Sequence, residues 1–144
     1  MTAAPTGTRA PHLQPATIAM VAVGGAIGTG AREAISLAIP PIGGVPVAIL
    51  GINVVGAFLL GLLVESLLRR GPDDGRRRDL RLFLGTGVLG GFTTYSALAA
   101  DSSVLLIEGN ALVGVLYAAG SIVLGALASW GGIVLARRIG GGRS

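Results

Sequence analysis

The chain predicts an all-α membrane protein of four transmembrane helices, and three observations carry that prediction. Its 144 residues are 51% hydrophobic and only 12% charged, with 25 glycines, a balance far from that of an average soluble domain. Four stretches carry no charged side chain: Ala10–Ala31 (22 residues), Ala34–Val64 (31), Leu82–Ala100 (19) and Gly109–Ala136 (28). Each is long enough to cross a bilayer, which takes roughly 20 mostly apolar residues. The eleven basic residues are all arginines, and they fall almost entirely on one side of such a four-span arrangement.

The helices are expected near residues 14–38, 45–69, 81–107 and 110–137. Residues 1–13 form an N-terminal tail, 14–138 the four-helix domain and 139–144 a C-terminal tail. The first span is not read as a secretory signal, because it runs into Arg32 and Glu33 with no small-residue cleavage site behind it. "PPIGGVP" (Pro40 to Pro46) is a short turn of helix breakers between the first two helices. "RRGPDDGRRRD" (Arg69 to Asp79) reads as a charged hydrophilic loop, and the last two helices meet around Glu108, Gly109 and Asn110.

Arg9 precedes the first helix. Six arginines, Arg69, Arg70, Arg76, Arg77, Arg78 and Arg81, lie in or beside the second connection, and Arg137, Arg138 and Arg143 follow the fourth helix. Four spans place all ten together and leave the opposite loops without any. The positive-inside rule then puts both termini in the cytoplasm, with the spans in contact with lipid. The net charge of +4 needs no nucleic-acid partner, since membrane orientation accounts for the clustering. The absence of cysteine excludes disulfides and thiol catalysis, and the sole histidine, His12, lies in the Pro-punctuated tail. "GTGVLG" (Gly85 to Gly90) matches a dinucleotide fingerprint by chance, because it opens a membrane span and has no strand before it.

Gly24-x-x-x-Gly28 and Gly87-x-x-x-Gly91 are spacings that let helix backbones approach closely, either within one subunit or along a dimer seam. Polar residues inside spans are costly, so they mark function or helix association. Arg32 shares a face of the first helix with Gly24 and Gly28. It either snorkels or attracts an anion. Asn53 lies within the second helix, and Tyr117, Ser121 and Gly125 recur along one stripe of the fourth.

"GGAIGTGAR" (Gly24 to Arg32), "NVVGAFLLG" (Asn53 to Gly61) and "GTGVLGGFTTYS" (Gly85 to Ser96), in this order within four spans, closely resemble the Fluc-type fluoride channels, the CrcB family. The resemblance implies an antiparallel, dual-topology dimer with two fluoride pores along its interface and one buried Na⁺ at its centre. It also implies a third helix that breaks at the Gly-Gly-x-Thr-Thr segment, Gly90 to Thr94, with backbone carbonyls of Gly90 and Thr93 on the Na⁺. Glycines would permit that break, and Thr94 and Ser96 would cover exposed backbone groups. Asn53 matches the family's pore asparagine, Ser121 its polar track with Tyr117 one turn before, and Arg32 an arginine expected near the pore's entrance.

The family places two phenylalanines in the pore, with positive ring edges toward the anion. Here those slots hold Tyr95 and Leu98, with Ala97 where a threonine is usual. Gly125 replaces a second hydroxyl, Ile49 a threonine and Asp101 a glutamate. Phe92 sits outside the ring slots. The expected protein is thus a passive fluoride export channel and not an enzyme. One alternative is a small multidrug-type proton-coupled exporter, which needs a carboxylate near the middle of the first helix, whereas Glu33 lies toward its end. Another is a non-conducting partner subunit of a heterodimeric channel. The arginine bias favours pairing with a second, oppositely oriented homologue over a homodimer.

Overall fold

A computed structural model describes residues 14–140; the tail residues 1–13, with Arg9 and His12, and the final residues 141–144, with Arg143, lie outside the described part. Four apolar spans are present: Pro15–Ala38, Val47–Leu68, Gly75–Ile107 and Ala111–Gly140. We label Pro15–Ala38 α1, Val47–Leu68 α2 and Ala111–Gly140 α5. The third span is two helices: α3 over residues 75–92 and α4 over Tyr95–Ile107.

Each boundary has a local cause. Pro15 occupies the first turn of α1, where its missing N–H costs nothing. Between α1 and α2 the chain reverses through Gly43 and Gly44, both at positive φ, and Ile42 and Val45 exchange backbone hydrogen bonds of 3.0 Å each. This is the two-residue turn that only glycine-like residues adopt without strain. At the end of α4, Gly109 takes φ +84°, its N–H reaches Leu106 O and that of Asn110 reaches Leu105 O, closing the helix with a glycine cap.

The segment from Arg69 to Asp79 is not all loop. Helix begins at Gly75, with Arg77 and Arg78 donating their amides to Asp74 O, so the third span is 33 residues long. Arginine is a good helix former, and the acidic residues just before it anchor the turn. Asp73 accepts from Arg81 at 2.6 Å, and this guanidinium holds the Asp73 carboxyl below the usual carboxylate range. Arg137 at the end of α5 and Arg69 at the end of α2 both donate to Glu65, at 3.0 and 2.9 Å. Within α3, Arg81–Leu89 winds with the wider π-helical spacing before a last α turn, Gly90–Phe92.

Packing follows the glycines. Gly24 and Gly28 of α1 lie directly against α3: a Cβ on Gly24 would meet Phe83 O at 2.7 Å, and one on Gly28 would meet Phe92 N at 2.8 Å. Gly87 and Gly91 are the reciprocal surface, where Cβ atoms would meet Val21 O and the Gly25 Cα, each at 3.0 Å. The two small-residue motifs therefore form one seam inside the subunit. A second seam joins α2 to α5, with Gly61 against Ser129 and Gly132 against Phe58. Since lipid offers no hydrophobic drive between helices, such close backbone contact is what holds them together.

Replacing Gly91 by valine puts a branched side chain into the Gly25 backbone. Gly91→Val is expected to abolish a monodisperse folded species in detergent. A well-behaved Gly91→Val protein by size-exclusion chromatography would show that α1 and α3 do not pack this closely.

Candidate functional site

The third span breaks at Thr93 and Thr94, which leave helical geometry for extended backbone (ψ 154° and 120°). The break is made by the threonines, not by the glycines: Gly90 keeps ordinary helical angles, and Gly91 serves the close approach to α1. A break at membrane depth strands backbone groups where no water can satisfy them. Side chains take that role here.

Asn53 of α2 answers the break from one side. Its Nδ2 donates to Thr94 O at 3.0 Å and its Oδ1 accepts from Thr94 N at 2.8 Å, so one amide replaces both missing backbone partners. From α1, Thr29 Oγ1 and Arg32 Nε both donate to Gly91 O, at 3.3 and 3.4 Å. Thr93 Oγ1 bonds back to Leu89 O at 2.9 Å. Thr94 Oγ1 caps α4 by accepting from Ala97 N at 3.1 Å and pairs with Ser96 Oγ. The carbonyls of Gly90 and Thr93 accept no hydrogen bond among the described residues. Free carbonyl oxygens are the donor type a hard cation takes, so the expected Na⁺ contributors fit that chemistry. No cluster of acidic or histidine side chains suited to a metal occurs among the described residues.

Beside the break lies an open groove of about 310 Å³, lined by Asn53, Thr93, Thr94, Tyr95, Leu98, Ser121 and Gly125 together with Ala57, Leu60 and Ile122. It gathers four of the six pore candidates read from the sequence, Asn53, Tyr95, Leu98 and Ser121, beside Thr93, one of the two expected Na⁺ contributors. Tyr95 projects outward, 79% exposed, whereas Leu98 is 6% exposed and packs with Leu105 and Tyr117. Ser121 is 4% exposed, and its hydroxyl donates to Tyr117 O at 2.7 Å.

Tyr117 is buried behind this groove rather than lining it. Its hydroxyl is placed 3.3 Å from Pro46 O and 3.4 Å from Asp101 Oδ2, tying α5 to the first turn and to α4. Arg32 is likewise outside the groove, holding the α3 terminus from α1 and lying 3.9 Å from Glu33. Sequence reasoning missed Thr29 and the Thr94 backbone as partners. Both are distant in sequence from the groups they satisfy, and only the spacing of Thr29 within the Gly24 to Arg32 motif marked its region.

Fold and site together define a multi-pass membrane protein with a broken third span and a polar groove at the break. A family model described as "CrcB-like protein, Camphor Resistance (CrcB)" matches residues 19–133. The chain belongs to the CrcB family. It is 56% identical over 110 residues to a fluoride-specific ion channel, FluC 2, of Leifsonia xyli subsp. xyli, covering 76% of each chain. It is 47% identical over 105 residues to FluC 1 of Cutibacterium acnes (72% of this chain, 73% of that one). It is also 38% identical over 127 residues to FluC 1 of Streptomyces coelicolor (88% and 80%).

Asn53→Leu removes both partners of Thr94 at once. It is expected to destabilise the protein by about 1–3 kcal/mol for each polar group left unsatisfied, read as a lowered Tm in detergent. An unchanged Tm would show that the amide does not hold the break.

Proposed function

We propose that this chain is a subunit of a fluoride-selective channel that lets fluoride leave the cytoplasm passively, and not an enzyme. The observation that carries the reading is the groove at the break, in which Asn53, Tyr95, Leu98 and Ser121 converge. The relatives named as fluoride-specific ion channels support it. Fluoride is small and strongly hydrated, so a selective path must exchange water for close donors while remaining too narrow for chloride. Asn53 keeps one amide hydrogen beyond its bond to Thr94. The Ser121 hydroxyl rotates from the Tyr117 carbonyl to an anion at little cost. The ring edge of Tyr95 offers a positive margin, while Leu98 offers only shape. Tyr117 and Arg32 act by positioning, the first behind Ser121 and the second at the α3 terminus.

The groove is open on the outside of one subunit, so a narrow path requires a second surface to close it. An antiparallel partner subunit supplies that surface in our reading, with Gly90 and Thr93 carbonyls of both subunits holding a structural Na⁺ between them. Such an ion would supply fixed positive charge at the centre of the assembly. The proton-coupled exporter is disfavoured: Glu33, the one carboxylate of α1, is exposed near its end and lies beside Arg32.

The arginine distribution carries the orientation proposed, both termini cytoplasmic, and the partner proposed, a second homologue of opposite bias; the inner (plasma) membrane is what the fluoride-channel reading implies. Placing even one arginine at a helix centre costs roughly 2.5–3.5 kcal/mol, and the bias of short loops decides topology.

Liposomes containing the protein with its partner are expected to release fluoride faster than chloride by orders of magnitude, measured with ion-selective electrodes; comparable rates would refute the channel reading. Single cysteines introduced at Asp74 or Arg76 are expected to react with a membrane-impermeant reagent from the cytoplasmic side alone when the chain is expressed by itself. Labelling from both sides would restore dual topology and a homodimer.

A further inference from the structure

On the arginine-rich side, away from the break, α1 and α3 diverge around a second groove of about 550 Å³, lined by Thr17, Val21 and Ala22 of α1 and by Arg78, Arg81 and Thr86 of α3. The glycine seam explains the opening: Gly24 and Gly28 clamp the helices together one turn deeper, and larger side chains hold them apart beyond it. Its length suits the upper part of a leaflet. From Arg78 to Thr86 is eight residues, at most about 12 Å at the α-helical rise of 1.5 Å per residue and less over the π-helical part from Arg81 on, running inward from the level of the charged loop.

The two arginines at its head differ. Arg81 is committed to Asp73 through three contacts of 2.6 to 3.0 Å. Arg78 has one ion pair, with its neighbour Asp79 at a marginal 3.4 Å, and its Nε is shut off from solvent with no acceptor among the described residues. A guanidinium is a fork of donors that cannot shed its charge, and a buried donor without an acceptor is rare. The groove below it is apolar apart from Thr17 and Thr86.

We propose that this groove is a binding site for an anionic phospholipid of the arginine-side leaflet, with the headgroup phosphate on Arg78 and one acyl chain lying between α1 and α3. The occupant is argued from charge complementarity at the head and apolar lining along the length. A phosphate has the planar oxygen pairs that match the guanidinium fork. Basic residues at this level also attract anionic lipid, whatever the headgroup's other chemistry. The proposal does not depend on the ion that the channel carries, since its site shares no residue with the groove at the break.

Native mass spectrometry of the full-length protein in detergent, titrated with phosphatidylglycerol or phosphatidylcholine of identical chains, tests it. The expected result is retention of phosphatidylglycerol over phosphatidylcholine by roughly fivefold, the worth of one basic residue beside an anionic headgroup. Arg78→Gln is expected to erase that preference, Arg78→Lys to restore part of it, and Arg138→Gln, on the same side but outside the groove, to leave it intact. Ala22→Trp, which fills the groove, should lower retention of both lipids. Equal retention of the two lipids, or equal loss with Arg138→Gln, would overturn the site. Displacement by millimolar inorganic phosphate would overturn it in favour of a free anion. High-yield disulfide formation between cysteines placed at Thr8 and Ala22 would assign the groove to the chain's own N-terminal segment instead.

Discussion

A polypeptide that leaves helical geometry inside a bilayer must find partners for its backbone within the protein, and that requirement organises this subunit. Thr93 and Thr94 interrupt the third span, and the groups freed there, apart from the Gly90 and Thr93 carbonyls, are met from three directions. Asn53 takes both sides of the Thr94 peptide from α2, Arg32 and Thr29 take Gly91 O from α1, and the Thr94 hydroxyl caps the helix that follows. The Asn53 and Thr94 bonds have ordinary lengths, and the two to Gly91 O are long at 3.3 and 3.4 Å. Their value comes from the alternative, an unsatisfied peptide group in hydrocarbon, which costs several kcal/mol.

The break also changes what the chain packs against. Before it, α3 lies along α1, backbone on backbone, through Gly24, Gly28, Gly87 and Gly91. After it, α4 lies along α5, where Leu98, Leu105 and Tyr117 form the small buried cluster. A continuous helix could not serve both neighbours, so the redirection opens the groove in which Asn53, Tyr95, Leu98 and Ser121 meet. Because the glycine motifs are used up inside the subunit, the surface around Tyr95 is left outward. The partner in our proposal docks there.

Substitutions that depart from the family's pattern fall at different depths. Tyr95 is almost fully exposed, so its ring is offered to whatever covers the groove, whereas Leu98 is buried against Tyr117 and shapes the wall. Asp101 reaches Tyr117 with a shorter side chain than glutamate has, and Tyr117 in turn reaches Pro46 O. These contacts tie α4, α5 and the first turn into one body behind the groove. Gly125 adds no side chain to the lining and leaves the Ser121 hydroxyl as the polar side chain contributed by α5.

Hydrophobic run length and arginine placement were enough to read four spans, their approximate limits and the grouping of the charged ends, because lipid imposes length and charge rules that act on local sequence alone. The ordered motifs also pointed to the family and to the region of the break. The sequence reading carried the helix start to Arg81, yet helix begins at Gly75, since a run of arginines looks like a loop until the acidic residues beside it turn out to be its ion partners. It put the break in the segment from Gly90 to Thr94, where the structure has it, but did not say which of those residues leave the helix: tertiary packing uses Gly91 for close approach and leaves the extended geometry to the threonines. It named Arg32 and Tyr117 as polar groups within spans but not their partners, the Gly91 carbonyl for one and Pro46 O and Asp101 for the other. Whether a polar side chain faces an open groove or satisfies a peptide group depends on which helix lies opposite. That is a property of three-dimensional neighbours, and no spacing along the chain contains it.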